Sequence, residues 1–281
     1  MAKMNMKKMN ELYFDAISIQ VTWKCNLKCK YCCTGSPYKQ HLPHFPLDIL
    51  DSSFDKFFSL IEYARKVSFS GGEPLLRKDL PNLIDNFFRF SSRFEFIELI
   101  TNGTIIPSDE LIRVLKKHKE RIAIQIDHYG EVSKNADKVA EILENHKLSY
   151  RVREYYGENA SHGGWVDYGD FDKKHDEKQA HELYRKCFFS HYRRETDPYI
   201  DLSNGVVHLC VRSLLTMEKG CVPNEPPEFI DIMDNTKTDD ELRDHIFKLT
   251  WARYLNSCMF CNGFCADNTQ RVLPSVQLDI K

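Results

Sequence analysis

The chain has 281 residues, room for one large domain or a large one with a small companion. With 42% hydrophobic and 28% charged residues and a net charge of −2, it is of ordinary globular composition and lacks a general electrostatic signature for nucleic acid, leaving only a local basic groove around Lys24, Lys28 and Lys30 open. The first ten residues, MAKMNMKKMN, are basic and Met-rich with no apolar run behind them, so neither a signal peptide nor a membrane span is expected.

From residue 14 to about 156, short β-rich runs alternate with helical stretches. DAISIQVTW (15–23) alternates apolar and polar residues as a strand does. LDILDSSFDKFFSLIEYA (47–64) places Ile49, Leu50, Phe54, Phe57, Phe58 and Ile61 on one helical face. KVSFS (66–70) is a second strand and DLPNLIDNFFRF (79–90) a helix. FEFIELIT (94–101) is a third strand, and PSDELIRVLKKH (107–118) a helix whose Pro107 and Ser108 suit its start. RIAIQID (121–127), SKNADKVAEILENH (133–146) and LSYRVREYY (148–156) read as strand, helix and strand.

Repeated β-then-α units predict parallel strands with right-handed crossovers, rolled into a partial (β/α)6-type barrel. In such folds chemistry sits at the C-terminal strand ends. The short motifs fall there: CNLKCKYC after strand one, GGEP after strand two, TNGT after strand three, DHYG after strand four and REYYG at strand five. GENASHGGWVDYGDFDKKHDEKQ (157–179) is glycine-rich, then charged. Its GWVDY is a short sixth strand or a loop near the site, and the remainder a linker or helix start. PYIDLSNGVVHLC (198–210) reads as a hairpin turning at Asn204-Gly205, and DDELRDHIFKLTWARYL (239–255) as a helix. The expected organisation is a tail at 1–13, the partial barrel at 14–170, a linker at 171–186, a small hairpin-plus-helix domain at 187–270 and a tail at 271–281.

Ten cysteines in a chain expected in the reducing cytoplasm point to metal or catalysis rather than disulfides. They cluster as Cys25, Cys29, Cys32 and Cys33 early, and Cys258, Cys261 and Cys265 late, with Cys187, Cys210 and Cys221 between. Two separate metal sites give this distribution. Three thiolates at C-x3-C-x2-C fit a [4Fe–4S] cubane with one iron left for a small ligand. A structural zinc completed by Cys33, His41 or His44 is the alternative.

In Cys25, Cys29, Tyr31 and Cys32, followed by Gly71, Gly72, Glu73 and Pro74, residues 14 to about 156 resemble the radical S-adenosylmethionine (SAM) superfamily. The resemblance implies a SAM-binding [4Fe–4S] cluster on Cys25, Cys29 and Cys32, and SAM chelated to its open iron. It also implies Tyr31 near the adenine, and Glu73 receiving the methionine ammonium beside a glycine pair that lets backbone approach the ligand. Thr101, Asn102 and Asp127 become candidates for the ribose and carboxylate. The later cysteines resemble the shortened auxiliary-cluster domain called Twitch, a truncated SPASM domain. That implies one auxiliary [4Fe–4S] cluster on Cys187, Cys210, Cys258 and Cys261, with Cys265 a possible substitute and Cys221 idle. A zinc on the same four thiolates stays open.

The resemblance to the 2-deoxy-scyllo-inosamine dehydrogenase type implies two-electron oxidation of a small polar molecule, such as a sugar or aminocyclitol alcohol. Arg153 and Glu154 are then candidate catalytic residues, with His128 and His162 as further options. Modification of a peptide or protein side chain is the competing reading. Only 24 residues precede Cys25, which disfavours a leading peptide-recognition domain. A zinc-stapled binding module ranks last. A reducing donor such as flavodoxin or ferredoxin is the implied protein partner; no membrane or nucleic-acid partner is expected.

Overall fold

The computed structural model describes residues 11–39, 42–158, 165–193, 198–265 and 271–278. Five strands, β1 (Tyr13–Thr22), β2 (Tyr63–Gly71), β3 (Phe94–Thr101), β4 (Ile122–His128) and β5 (Tyr150–Glu154), run parallel. They are joined by α1 (Leu47–Leu60), α2 (Leu80–Phe87), α3 (Asp109–Lys117) and α4 (Ala136–Asn145). Beyond them lie α5 (Glu177–Lys186), β6 (Tyr199–Ser203), β7 (Val206–His208), α6 (Val211–Glu218), β8 (Ile230–Asp231) and α7 (Asp239–Thr250).

The sheet is open, with order β5-β4-β3-β2-β1-β6-β7-β8. β6 lies parallel to β1, so the partial barrel has six parallel strands, and β7 and β8 extend it antiparallel. The sixth parallel strand is therefore β6 and not GWVDY, in which Val166 forms only an isolated bridge to Arg271. Nor does the sheet stop at 171–186: the expected hairpin of the second module continues it edge to edge. Its turn is Asn204-Gly205, both at positive φ, a conformation glycine adopts without steric cost. Among the described residues no helix is long and apolar enough to cross a membrane.

The two faces of the sheet differ, because side chains alternate along each strand. The outer face carries Ile17, Ile19, Val21, Val67, Phe69, Ile97, Leu99, Ile122, Ile124 and Ile126, all buried against the helices. Phe54 of α1, Phe69 of β2 and Phe87 of α2 meet there, Phe87 edge-on to both neighbours with ring centroids 5.1 and 4.9 Å away. α1 ends at Leu60, so Ile61 is buried outside the helix, and Ile49 faces solvent rather than the core.

The inner face is polar. Ser18, Gln20, Ser68, Ser70, Glu98, Gln125, Asp127, Asp201 and Ser203 share it by register. Burying such groups is costly unless they are partnered or meet a ligand. The amide of Gln20 is buried with no hydrogen-bond partner on either atom.

Candidate active site

The loop after β1 carries Cys25, Cys29 and Cys32, and three other segments hold it in place. GGEP is the first: the Gly72 and Glu73 N–H groups donate to the Thr22 and Lys24 carbonyls at 2.7 Å each. A Cβ on Gly71 would stand 2.3 Å from the Thr22 oxygen, and one on Gly72 2.0 Å from the Lys24 oxygen. Both glycines are thus required by the close approach of GGEP to the end of β1 and to the backbone of the cysteine loop. Pro74 follows in a short 3-10 turn. Arg77, also buried, donates to the Val21 and Phe45 carbonyls and forks onto Asp79, fixing the end of β1.

TNGT is the second segment. Glu73 is fully buried and accepts from the Leu75 N–H (3.0 Å), the Thr101 hydroxyl (2.9 Å) and the Asn102 N–H (2.7 Å). Burial raises its carboxyl to about 7 against those three donors, which pull it down. Asn102 donates to Asn26 (3.0 Å) and towards the Cys25 sulfur (3.6 Å), and accepts from Thr104. Thr101 therefore ties β3 to Glu73, and Asn102 ties it to the cysteine loop. Glu73 keeps one of about four lone-pair sites free for an incoming donor.

The third segment is the stretch near the C-terminus, which forms a bridge between Gln277 and Cys29. Burial pushes the Cys25 and Cys29 thiols up to about 12, and the charge of Cys32 raises both further. A pocket that opposes ionisation of Cys25 and Cys29 favours a bound positive centre that would offset the charge of their thiolates. The Leu27 N–H (3.4 Å) and the Gln277 amide (3.3 Å) already donate to these sulfurs, as donors do around cluster thiolates. Tyr31 is half-buried against Cys29, Tyr129, Tyr155 and Trp165.

Of the remaining expected residues, Asp127 and Arg153 are register partners on the inner face. Asp127 is raised to about 6, by burial foremost, against the Gln125 amide (2.7 Å) and the Arg153 charge. Arg153 also donates to the Tyr155 hydroxyl (3.0 Å). Glu154, the other candidate catalytic residue, is exposed and projects to the face opposite Arg153, because adjacent strand residues point apart. His128 is likewise turned away, against Tyr156 and Asp137. His41 and His162 lie outside the described residues. His44 bonds the Thr22 hydroxyl at 2.8 Å.

The second cysteine group converges. Cys187, Cys210, Cys258 and Cys261 line one small cavity of about 30 Å³, together with Tyr168, Tyr184, Arg212 and Phe264. Burial raises all four thiols, and the charge of Cys187 raises Cys210, Cys258 and Cys261 as well. The Gly263 N–H donates to the Cys261 sulfur at 3.2 Å. Cys265 is not among the lining residues; its backbone bridges Cys187. Among the described residues no three Cys, His, Asp or Glu side chains converge on one metal-ion position. The four cysteines share the lining of one void.

A second cavity, about 280 Å³, lies beside the first. Its lining includes Lys30, Tyr31, Cys32, Cys33 and Tyr38 together with Tyr168 and Arg212. Tyr168 and Arg212 line both cavities. The Tyr168 hydroxyl and the Arg212 Nε are buried with no partner. Arg212 is otherwise held by the Asp170 and Phe260 carbonyls and the Phe171 ring. Sequence reasoning missed Gln20, Tyr168, Arg212 and Gln277. Only Arg212, two residues after Cys210, had a local signal.

The family description "Radical SAM superfamily" matches residues 19–155. Residues 19–155 form a radical SAM domain. Such a domain implies SAM and a [4Fe–4S] cluster, and the three crowded thiols fit the latter. A GTP 3′,8-cyclase of Limosilactobacillus fermentum is 27% identical over 190 residues, 61% of this chain and 55% of that protein, so the match spans about half its length. The crystal structure of BtrN in complex with AdoMet and 2-DOIA is similar at a TM-score of 0.52 and 16% identity. It covers 95% of this chain and 100% of that one. Streptococcus suis SuiB bound to the precursor peptide SuiA gives a TM-score of 0.52 at 13% identity, over 88% and 66%. At these identities the structural likeness is one of fold, and in this case it extends beyond the radical SAM domain.

Proposed function

We propose that this radical SAM enzyme oxidises an alcohol of a small polar molecule by two electrons, with an auxiliary [4Fe–4S] cluster of Twitch type on Cys187, Cys210, Cys258 and Cys261. The observation that carries the reading is the 280 Å³ cavity lined by Cys32 and Cys33 of the first cysteine loop and by Tyr168 and Arg212, which also line the cavity of the second cysteine group. It falls below the roughly 300–1,000 Å³ of pockets for drug-sized ligands, which favours a small substrate.

When bound, the cluster and SAM supply a 5′-deoxyadenosyl radical by one-electron cleavage of a C–S bond. The net change would be a carbinol CH–OH becoming C=O, with one hydrogen atom transferred to the 5′ carbon to give 5′-deoxyadenosine, one proton to a base, and one electron to the acceptor that Cys187, Cys210, Cys258 and Cys261 would hold. Asp127, held at about 6, is the base best placed on the inner face, with Arg153 beside it to stabilise the carboxylate. Tyr168 and Arg212 exclude water between the two cavities and offer unpaired donors. An electron donor such as flavodoxin or ferredoxin completes the cycle.

The named relatives raise a nucleoside triphosphate as the competing substrate. The larger cavity has Lys30 and Arg212 as its cationic residues, and the Arg212 guanidinium already donates to two carbonyls. The test is anaerobic incubation of the reconstituted enzyme with SAM and a reductant, against panels of sugars and aminocyclitols, peptides, and GTP. The proposal expects 5′-deoxyadenosine, at least 100-fold less in Cys29→Ala, and a sugar or cyclitol product two mass units lighter. A modified peptide or cyclised GTP overturns it, and so does zinc-loaded protein that leaves SAM intact.

A further inference from the structure

We infer that Gln277 is a positioning residue for the SAM-binding cluster: its side-chain amide holds Cys29 in register and donates a hydrogen bond to the Cys29 sulfur, raising the cluster's reduction potential. The inference rests on the radical SAM reading of the first cysteine loop.

Residues 276–278 lie along that loop as a short strap. The Lys30 N–H donates to the Val276 carbonyl and the Leu278 N–H to the Lys28 carbonyl, both at 2.7 Å. Farther back, Val166 bridges Arg271, and the Val272 N–H donates to the Trp165 carbonyl at 3.2 Å. Between these anchors the chain turns at Ser275, whose φ is +57°.

The strap delivers one side chain to the cluster ligands. The Gln277 Oε1 accepts from the Lys28 N–H at 2.7 Å; its Nε2 donates to the Ser275 carbonyl at 2.6 Å and to the Cys29 sulfur at 3.3 Å. The amide's orientation is over-determined. An N–H faces one end and a carbonyl the other, so oxygen must point to Lys28 and nitrogen to Ser275 and the sulfur. Both amide hydrogens are thereby used, one of them on Cys29.

A donor on a ligating thiolate stabilises the more negative, reduced cluster, and hydrogen bonds to sulfur are among the protein's levers on potential. Cys29 is buried, so the effect is little screened. A glutamine that only pinned the loop would need its oxygen on Lys28 and nothing on the sulfur.

The experiment is an EPR-monitored redox titration of the reconstituted full chain, comparing wild type with Gln277→Met and Gln277→Glu at matched iron content. Gln277→Met keeps the length and removes the donors. Its midpoint is expected to fall by about 60 mV, the one-electron equivalent of a tenfold loss in the ratio of reduced to oxidised cluster at fixed donor potential. Gln277→Glu, which adds negative charge, falls further. An unchanged midpoint in both variants overturns the inference. Should neither variant load iron, ENDOR of the reduced wild-type cluster, labelled with 15N glutamine, decides. A 15N coupling supports the contact and its absence refutes it. Wild type that binds no cluster or leaves SAM intact would instead sink the radical SAM reading, a separate outcome.

Discussion

Glu73 has an electrostatic consequence of its own. Burial holds its carboxyl near 7 in the folded protein, above its ordinary value of 4.5. The folded chain therefore keeps a proton that the unfolded chain has released. The stability this gives is fully present below pH 4.5 and is lost as pH rises through about 7. Asp127, held at about 6, acts with the same sign. His208, lowered to about 4 by burial, acts with the opposite sign over part of this range. The contribution of Glu73 is therefore read as a difference: the melting temperature of cluster-free Glu73→Gln is expected to fall less, or rise more, between pH 5 and pH 8 than that of the unaltered chain. Equal slopes in both proteins would show that Glu73 does not titrate there. Gly72 sets a steric test. Its added methyl would collide with backbone, which cannot swing aside, so Gly72→Ala should cost about 1–3 kcal/mol. The same clash should reduce iron loading, measured beside the melt. These residues were legible because GGEP is a short motif at a strand end. The partners of its glycines and of Glu73 were not, since both lie across strand loops that only the folded sheet brings together.

Elements were read best where hydrophobic periodicity was clean. FEFIELIT is β3 in full, and PSDELIRVLKKH holds α3 with Ser108 capping it through the Leu111 N–H. α5 was read as a linker or helix start because it buries little beyond Ala180 and Tyr184 and is otherwise charged, although Asp176 and Gln179 form a capping box. α6 was missed for the opposite reason. It is buried from Val211 to Met217, leaving no polar face to betray a period. The sixth strand was left open between GWVDY and a loop because hairpin sequence reveals β6–β7 pairing but not the β6 edge against β1. α7 starts at a second capping box, Thr238 with Glu241, and Arg243 ties it to the end of α1. Thr238→Ala should cost about 1 kcal/mol and lower the melting temperature by about 2–4 °C, with iron content unchanged. A loss of iron would mean that α7 helps form a cluster site.

At the scale of the molecule, one sheet carries both cysteine groups. β1 leads into the first at its C-terminal end and pairs with β6 on its other edge, and the β6–β7 hairpin leads to Cys210. Tyr168 and Arg212 line both the cavity of the second cysteine group and the cavity that holds Cys32 and Cys33. The polar inner face of the barrel opens beneath them, and Asp127, Arg153 and Gln20 stand on it or in register with it. The account requires two clusters in one chain, and iron counting tests this most directly. After anaerobic reconstitution, it predicts about eight irons per chain, and about four when Cys258 and Cys261 are both changed to Ala. About four irons in the unaltered chain, or one zinc held by the second cysteine group, would contradict it.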